Sequence, residues 1–169
     1  MTEQTGQRRV VVGVDGSSTA RDAVRFAVCE AALRDATLVA VMAVELPDYA
    51  WIDPYAVREH PEEGFLDQAK DRLGLLLAEI GTGGVPVRKV ISTESAPVAL
   101  VAQSTGAELL VVGSRGRGGF RGMVLGSVSL QCVLHAHCPV TVVRPEPQPT
   151  DRPAERQHVL ADSRRDTTV

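Results

Sequence analysis

The chain has 169 residues, 44% of them hydrophobic and 23% charged, with a formal net charge of −3. That length suits one domain with a sizeable core, and the acidic balance excludes a protein built around an anionic nucleic acid or membrane surface. The start MTEQTGQRR carries no apolar leader, no apolar run approaches the roughly 20 residues of a membrane span, and Cys29, Cys132 and Cys138 form no paired framework, so a cytoplasmic location is expected.

Residues 1–8 are expected to be a flexible N-terminus. The continuous apolar run Val10-Val11-Val12-Gly13-Val14 predicts a strand covered on both faces. Asp15-Gly16-Ser17-Ser18 reads as a turn and helix start, and Ala20, Ala23, Val24, Ala27 and Ala31 follow at helical spacing. Residues 37–44 form a second buried strand, and 45–60, with Tyr49, Trp51 and Tyr55, an irregular excursion. A second helix starts near Pro61, carries Phe65, Leu66, Ala69, Leu73, Leu76, Leu77 and Ile80 on one face, and ends at Gly81, Gly83 and Gly84. A third strand over 85–91, a third helix over 98–104, a fourth strand over 109–112, a fourth helix over 126–135 and a fifth strand over 140–143 complete the pattern. Residues 145–169 hold four prolines and few branched apolar side chains, which predicts a disordered tail dispensable for folding of the 9–144 domain. Strands alternating with helical crossovers predict an α/β fold: a Rossmann-like, doubly wound, five-stranded parallel sheet in a single domain. Such sheets bind ligands at the carboxyl ends of their strands, where the winding direction reverses.

The loop after the fourth strand, from Gly113 to Gly126, holds six glycines and three arginines and runs into a helix start with Ser127 and Ser129. Glycines let backbone N–H groups approach a ligand, a helix N-terminus adds unpaired donors, and hydroxyls and arginines complete a set suited to a polyphosphate. A flexible glycine loop with solvated arginines is the plain alternative. The loop has no lysine, which rules out the P-loop pattern, and the turn after the first strand is too short for the dinucleotide-binding glycine fingerprint.

Gly113-x-x-Gly116, nine residues, then Gly126-Ser127 resembles the glycine signature of the ATP-binding universal stress proteins. Val12-Gly13-Val14-Asp15-Gly16-Ser17 is similar to that family's first strand ending, and Cys138-Pro139-Val140-Thr141-Val142-Val143 to its closing strand. The resemblance implies ATP, alone or with Mg, across the switch point of the sheet. Asp15, beside Gly13, would contact the adenine–ribose end, and backbone groups near Ala43 would hold adenine. Gly113, Ser114, Arg115, Gly116, Gly126, Ser127, Val128 and Ser129 would line ribose and phosphates. The resemblance also implies a homodimer, through the last strand with Val140, Val142 and Val143. Met42 stands where the family often has His, and Ser95 where it often has Gly.

Without the resemblance, Asp15 reads as a turn residue and Ser17, Ser18 and Thr19 as helix-capping residues. His135, His137 and Cys138 straddle a helix end and a strand start, so a metal site is not expected there. Tyr49, Trp51 and Tyr55 fit a lid or a partner-binding patch equally well. The leading expectation is a regulatory stress-response protein that acts through nucleotide-linked conformation or assembly and is not an enzyme beyond slow ATP hydrolysis. The alternatives are a slow ATPase or nucleotidyl-transferring enzyme on the same fold, and a dimeric scaffold without nucleotide.

Overall fold

The computed structural model describes residues 7–45, 61–116 and 125–145. The excursion with Tyr49, Trp51 and Tyr55, most of the N-terminal segment, the middle of the glycine loop and all of the tail from residue 146 lie outside the described residues. The elements in chain order are β1 (Arg9–Gly13), α1 (Ser18–Leu33), β2 (Thr37–Ala43), α2 (Pro61–Ile80), β3 (Val87–Ser92), α3 (Ala96–Ser104), β4 (Leu109–Gly113), α4 (Ser127–His135) and β5 (Val140–Val143). The five strands form one parallel sheet in the order β3-β2-β1-β4-β5.

Strand alternation divides the core between the two faces of this sheet. Val10, Val12, Leu38, Ala40, Met42, Leu109 and Val111 pack with Ala23, Val24, Ala27 and Ala31 of α1 and Leu73, Leu76 and Leu77 of α2. Val11, Val39, Val41, Leu110 and Val112 point the other way, onto Ala99 and Leu100 of α3 and Cys132 of α4. Burial on both faces is why these strands read as unbroken apolar runs. Alanines along α1 bring that helix close to the sheet; Ala23, Ala27 and Ala31 are all fully buried.

The predicted elements are present with small shifts at their ends. Val14 lies past β1, but its N–H still reaches Val41 C=O at 2.8 Å. β3 begins two residues later than expected, because Val85 N–H turns back to Thr82 C=O and only Pro86 C=O joins the sheet, accepting from Leu38 N–H. α3 begins earlier, at Ala96, because Pro97 is accommodated in the first turn, where its missing N–H costs nothing. Of Ser17, Ser18 and Thr19, Ser17 caps α1, its hydroxyl oxygen accepting from Ala20 N–H at 3.1 Å, and Ser18 and Thr19 lie within the helix. Gly16 makes the preceding turn with φ 81°, a conformation other side chains resist.

Cys132 is fully buried against the β1–β4 side of the core, and this burial pushes its thiol up to about 11. The unfolded chain ionises this thiol near its ordinary value of 9.0, whereas the folded chain resists ionisation up to about 11, so folding stability is intact below pH 9 and declines as pH rises through that window. Denaturant melts between pH 8 and 11 should show this decline, and Cys132→Ala should flatten it. An unchanged slope in that variant would assign the decline to other groups.

Candidate functional site

After β1 the chain winds through β2 to β3, then returns over the sheet to β4 on the opposite side of β1. The exits of β1 and β4 therefore diverge and leave a crevice at the carboxyl ends of the strands. A cavity of about 450 Å³ occupies this crevice, in the size range of small-ligand sites. It runs from the exit of β2, at Val41 and Ala43, across β1, to the start of α4.

Its two ends differ in chemistry. Toward β2 and α3 the walls are Val41, Ala43, Ala96 and Leu100, all apolar. Toward β4 and α4 they are Gly113, Arg115, Gly116, Gly126, Ser127, Val128 and Ser129. Ser127, Val128 and Ser129 form the first turn of α4, whose N–H groups have no acceptor within the helix. The N-cap is Gly126, with no side chain to satisfy them. α1 differs, because Ser17 closes its own first turn. The α4 terminus thus keeps donors and a positive dipole end for a ligand in the cavity.

The glycines at this site follow from close packing. A Cβ on Gly13 would lie 3.0 Å from Leu100 Cδ1, and one on Gly113 would lie 3.0 Å from Thr19 Cγ2. A Cβ on Gly116 would collide with Asp15 Oδ2 at 2.6 Å. Gly116 is thus the position where the β4 loop comes down onto the β1 turn. Asp15 lines the cavity and also accepts from Ser17 N–H at 2.9 Å, so its turn role is realised alongside its place at the site.

Of the residues singled out from sequence, Gly13, Asp15, Ala43, Gly113, Arg115, Gly116, Gly126, Ser127, Val128 and Ser129 all line this cavity. Ser114 stands behind the wall. It is 2% exposed, its N–H bonds Val143 C=O at 2.7 Å, and its C=O accepts from Gly126 N–H at 2.8 Å. The hydroxyl of Ser129, expected as a phosphate donor, instead points to the carbonyls of Gly113 and Ser114, at 2.9 and 3.3 Å. Sequence reasoning missed Val14, Ala20, Val41, Ala96, Leu100 and Val112, which also line the cavity. Val41, two residues before Ala43 on the same face of β2, was open to the strand period; Ala96 and Leu100 depend on which face of the sheet α3 covers, which a single sequence does not encode.

Among the described residues no group of three or more His, Cys, Asp or Glu could hold a metal ion, and His135 and His137 are exposed while Cys138 is half-buried. No helix among them is long and apolar enough to cross a membrane.

Residues 7–144 match the model of the Universal stress protein family. A universal stress protein of Mycobacterium tuberculosis is 40% identical over 145 residues, an overlap that takes in 80% of this chain and 45% of the relative. The chain therefore spans about half the length of the curated relatives it matches. Among solved structures, the universal stress protein UspA from Lactobacillus plantarum superposes with a TM-score of 0.66 at 25% identity, covering 83% of this chain and 100% of that one. A universal stress protein in complex with cAMP superposes with a TM-score of 0.53 at 29% identity, covering 83% of this chain and 98% of that one.

Proposed function

The chain belongs to the universal stress protein family, and on that premise we propose that it binds an adenine nucleotide, ATP alone or with Mg, as a regulatory protein of the stress response. One observation carries this reading. The crevice between β1 and β4 has an apolar end at Val41, Ala43 and Leu100 and a donor end at the uncapped first turn of α4. A flat, apolar base with a polyphosphate at its far end has that polarity. The relative in complex with cAMP supports the adenine class of ligand. In this reading Asp15 meets ribose hydroxyls, the backbone at Ala43 meets the base and Arg115 meets the phosphates; all three line the cavity.

The protein acts by binding. The loop between Gly113 and Gly126 has no lysine, and Asp15 is the one carboxylate on the cavity wall among the described residues, with one of its oxygens committed to Ser17 N–H. Efficient phosphoryl transfer needs a positioned cation and an oriented water. The output is then a change of conformation or assembly. The test is to denature freshly purified protein and identify released nucleotide by mass. Stoichiometric release of an adenine nucleotide is expected. Protein that carries none, and takes up none in titration at millimolar concentration, would end the reading.

Assembly through β5 is part of the same proposal. β3, at one edge of the sheet, exposes Arg88 and Lys89, charges that discourage edge pairing. β5, at the other edge, is Val140-Thr141-Val142-Val143 and carries no charge. Leu110 N–H donates to Pro139 C=O and Ser114 N–H to Val143 C=O, so alternation along the ladder turns the N–H groups of Val140 and Val142 away from β4. A second copy offers a partner for those groups around a two-fold axis. Val142→Pro removes one outward N–H without breaking the bonds to β4 and should convert dimers to monomers in light scattering at tens of micromolar. Wild type that already runs as a monomer there would overturn the dimer.

A further inference from the structure

We propose that Ser129 is a positioning residue of the phosphate end: its hydroxyl fastens the exit of β4 to the first turn of α4 and does not itself contact the nucleotide. The inference rests on the nucleotide-binding reading above and assigns this side chain a different part in it. Ser129 is 2% exposed although it borders the cavity. A serine hydroxyl has one hydrogen. Here that hydrogen is shared between Gly113 C=O at 2.9 Å and Ser114 C=O at 3.3 Å. None remains for a phosphate oxygen, and the ionised oxygens of a phosphate accept hydrogen bonds and have none to donate in return.

The hydroxyl is one strand of a small knot. Ser114 C=O also accepts from Gly126 N–H at 2.8 Å, and Ser114 N–H donates to Val143 C=O at 2.7 Å. The end of β4, the N-cap of α4 and the end of β5 are therefore tied at one residue. The knot sits directly behind the N–H groups of Ser127, Val128 and Ser129 and fixes their aim. Gly126 has no side chain to hold that turn, so the restraint has to come from the loop side. Preorganised donors bind an anion more tightly than donors that must be ordered on binding. Loosening the knot should therefore cost affinity for ligands that carry phosphate, and leave the base and ribose end alone.

The test compares wild type, Ser129→Ala and Ser129→Thr by calorimetric titration with ATP, ADP and adenosine, together with amide hydrogen exchange without ligand. Ser129→Ala should weaken ATP and ADP by about tenfold, the scale of one lost hydrogen bond, while adenosine stays within about twofold. Gly126 N–H should exchange faster in the same variant. Ser129→Thr keeps the hydroxyl and should restore both. Equal losses for ATP and adenosine would overturn the proposal in favour of general damage. A loss confined to ATP with unaltered Gly126 exchange would overturn it in favour of direct contact. Wild type that binds while Ser129→Ala is indistinguishable from it would overturn the positioning role alone. Wild type that takes up none of the three ligands would overturn the nucleotide reading, and the positioning role would fall with it.

Discussion

Gly126→Asp is expected to lower ATP affinity by at least about a hundredfold while the protein stays folded. The backbone at Gly126 has φ −73° and ψ 162°, a conformation open to any residue and typical of an N-cap. A Cβ there meets nothing closer than 3.5 Å, at Ser114 C=O. Aspartate can therefore be accommodated, and as a good N-cap it would accept from the first-turn N–H groups of α4. It would take the donors proposed for phosphate and place a negative charge beside them. A loss of about 3 kcal/mol, or a little over a hundredfold, combines a lost charge-assisted hydrogen bond with like-charge repulsion. Gly126→Asn separates these causes, since it caps without charge, and should lose less. Thermal melts should show the aspartate variant as stable as wild type or slightly more so. Undiminished ATP affinity in that folded variant would remove α4 from the site.

Leu110→Ala should produce the largest loss of stability. Leu110 lies in β4, the strand between β1 and β5, and is fully buried. It packs in the cluster that joins Val11, Leu100, Val112 and Cys132. Truncation removes three carbons and leaves a cavity between the sheet and the helices α3 and α4, a packed setting that collapses poorly; a cost of about 3 kcal/mol is expected. For a domain of this size that is a drop of about 10 °C in melting temperature. Leu75→Ala is the matching control, because Leu75 is 72% exposed and should shift melting by a degree or two at most. Comparable losses at both positions would contradict the division of the core.

Much of this fold was open to sequence reasoning because parallel strands covered on both faces write themselves as apolar runs. Val10-Val11-Val12 and residues 109–112 are buried throughout and could be placed within one residue. Helix ends were legible where a single residue dictates them, as Ser17 does for α1. They were less so where two signals compete: the expected helix over 98–104 leaves Pro97 outside, but a first-turn proline is compatible with α3 beginning at Ala96. The glycines of the loop after β4 were named through the family resemblance, and Gly113, Gly116 and Gly126 fall on one cavity wall. The side of the sheet covered by α3, and so the presence of Ala96 and Leu100 on the cavity wall, was not legible. It depends on crossover connections between elements far apart in the chain. The direction of a hydroxyl is likewise a tertiary fact. Ser127 and Ser129 look alike in sequence, yet one is exposed and the other is buried behind the turn.

Residue-resolved amide NMR during titration with ATP tests the central claim most directly. Binding in the crevice between β1 and β4 predicts saturable shifts at Gly113, Arg115, Gly116, Ser127, Val128 and Ser129, joined by Val41 and Ala43 at the base end, with β3 and the far ends of the helices unmoved. Saturable binding that shifts amides elsewhere and leaves the α4 first turn untouched would contradict it.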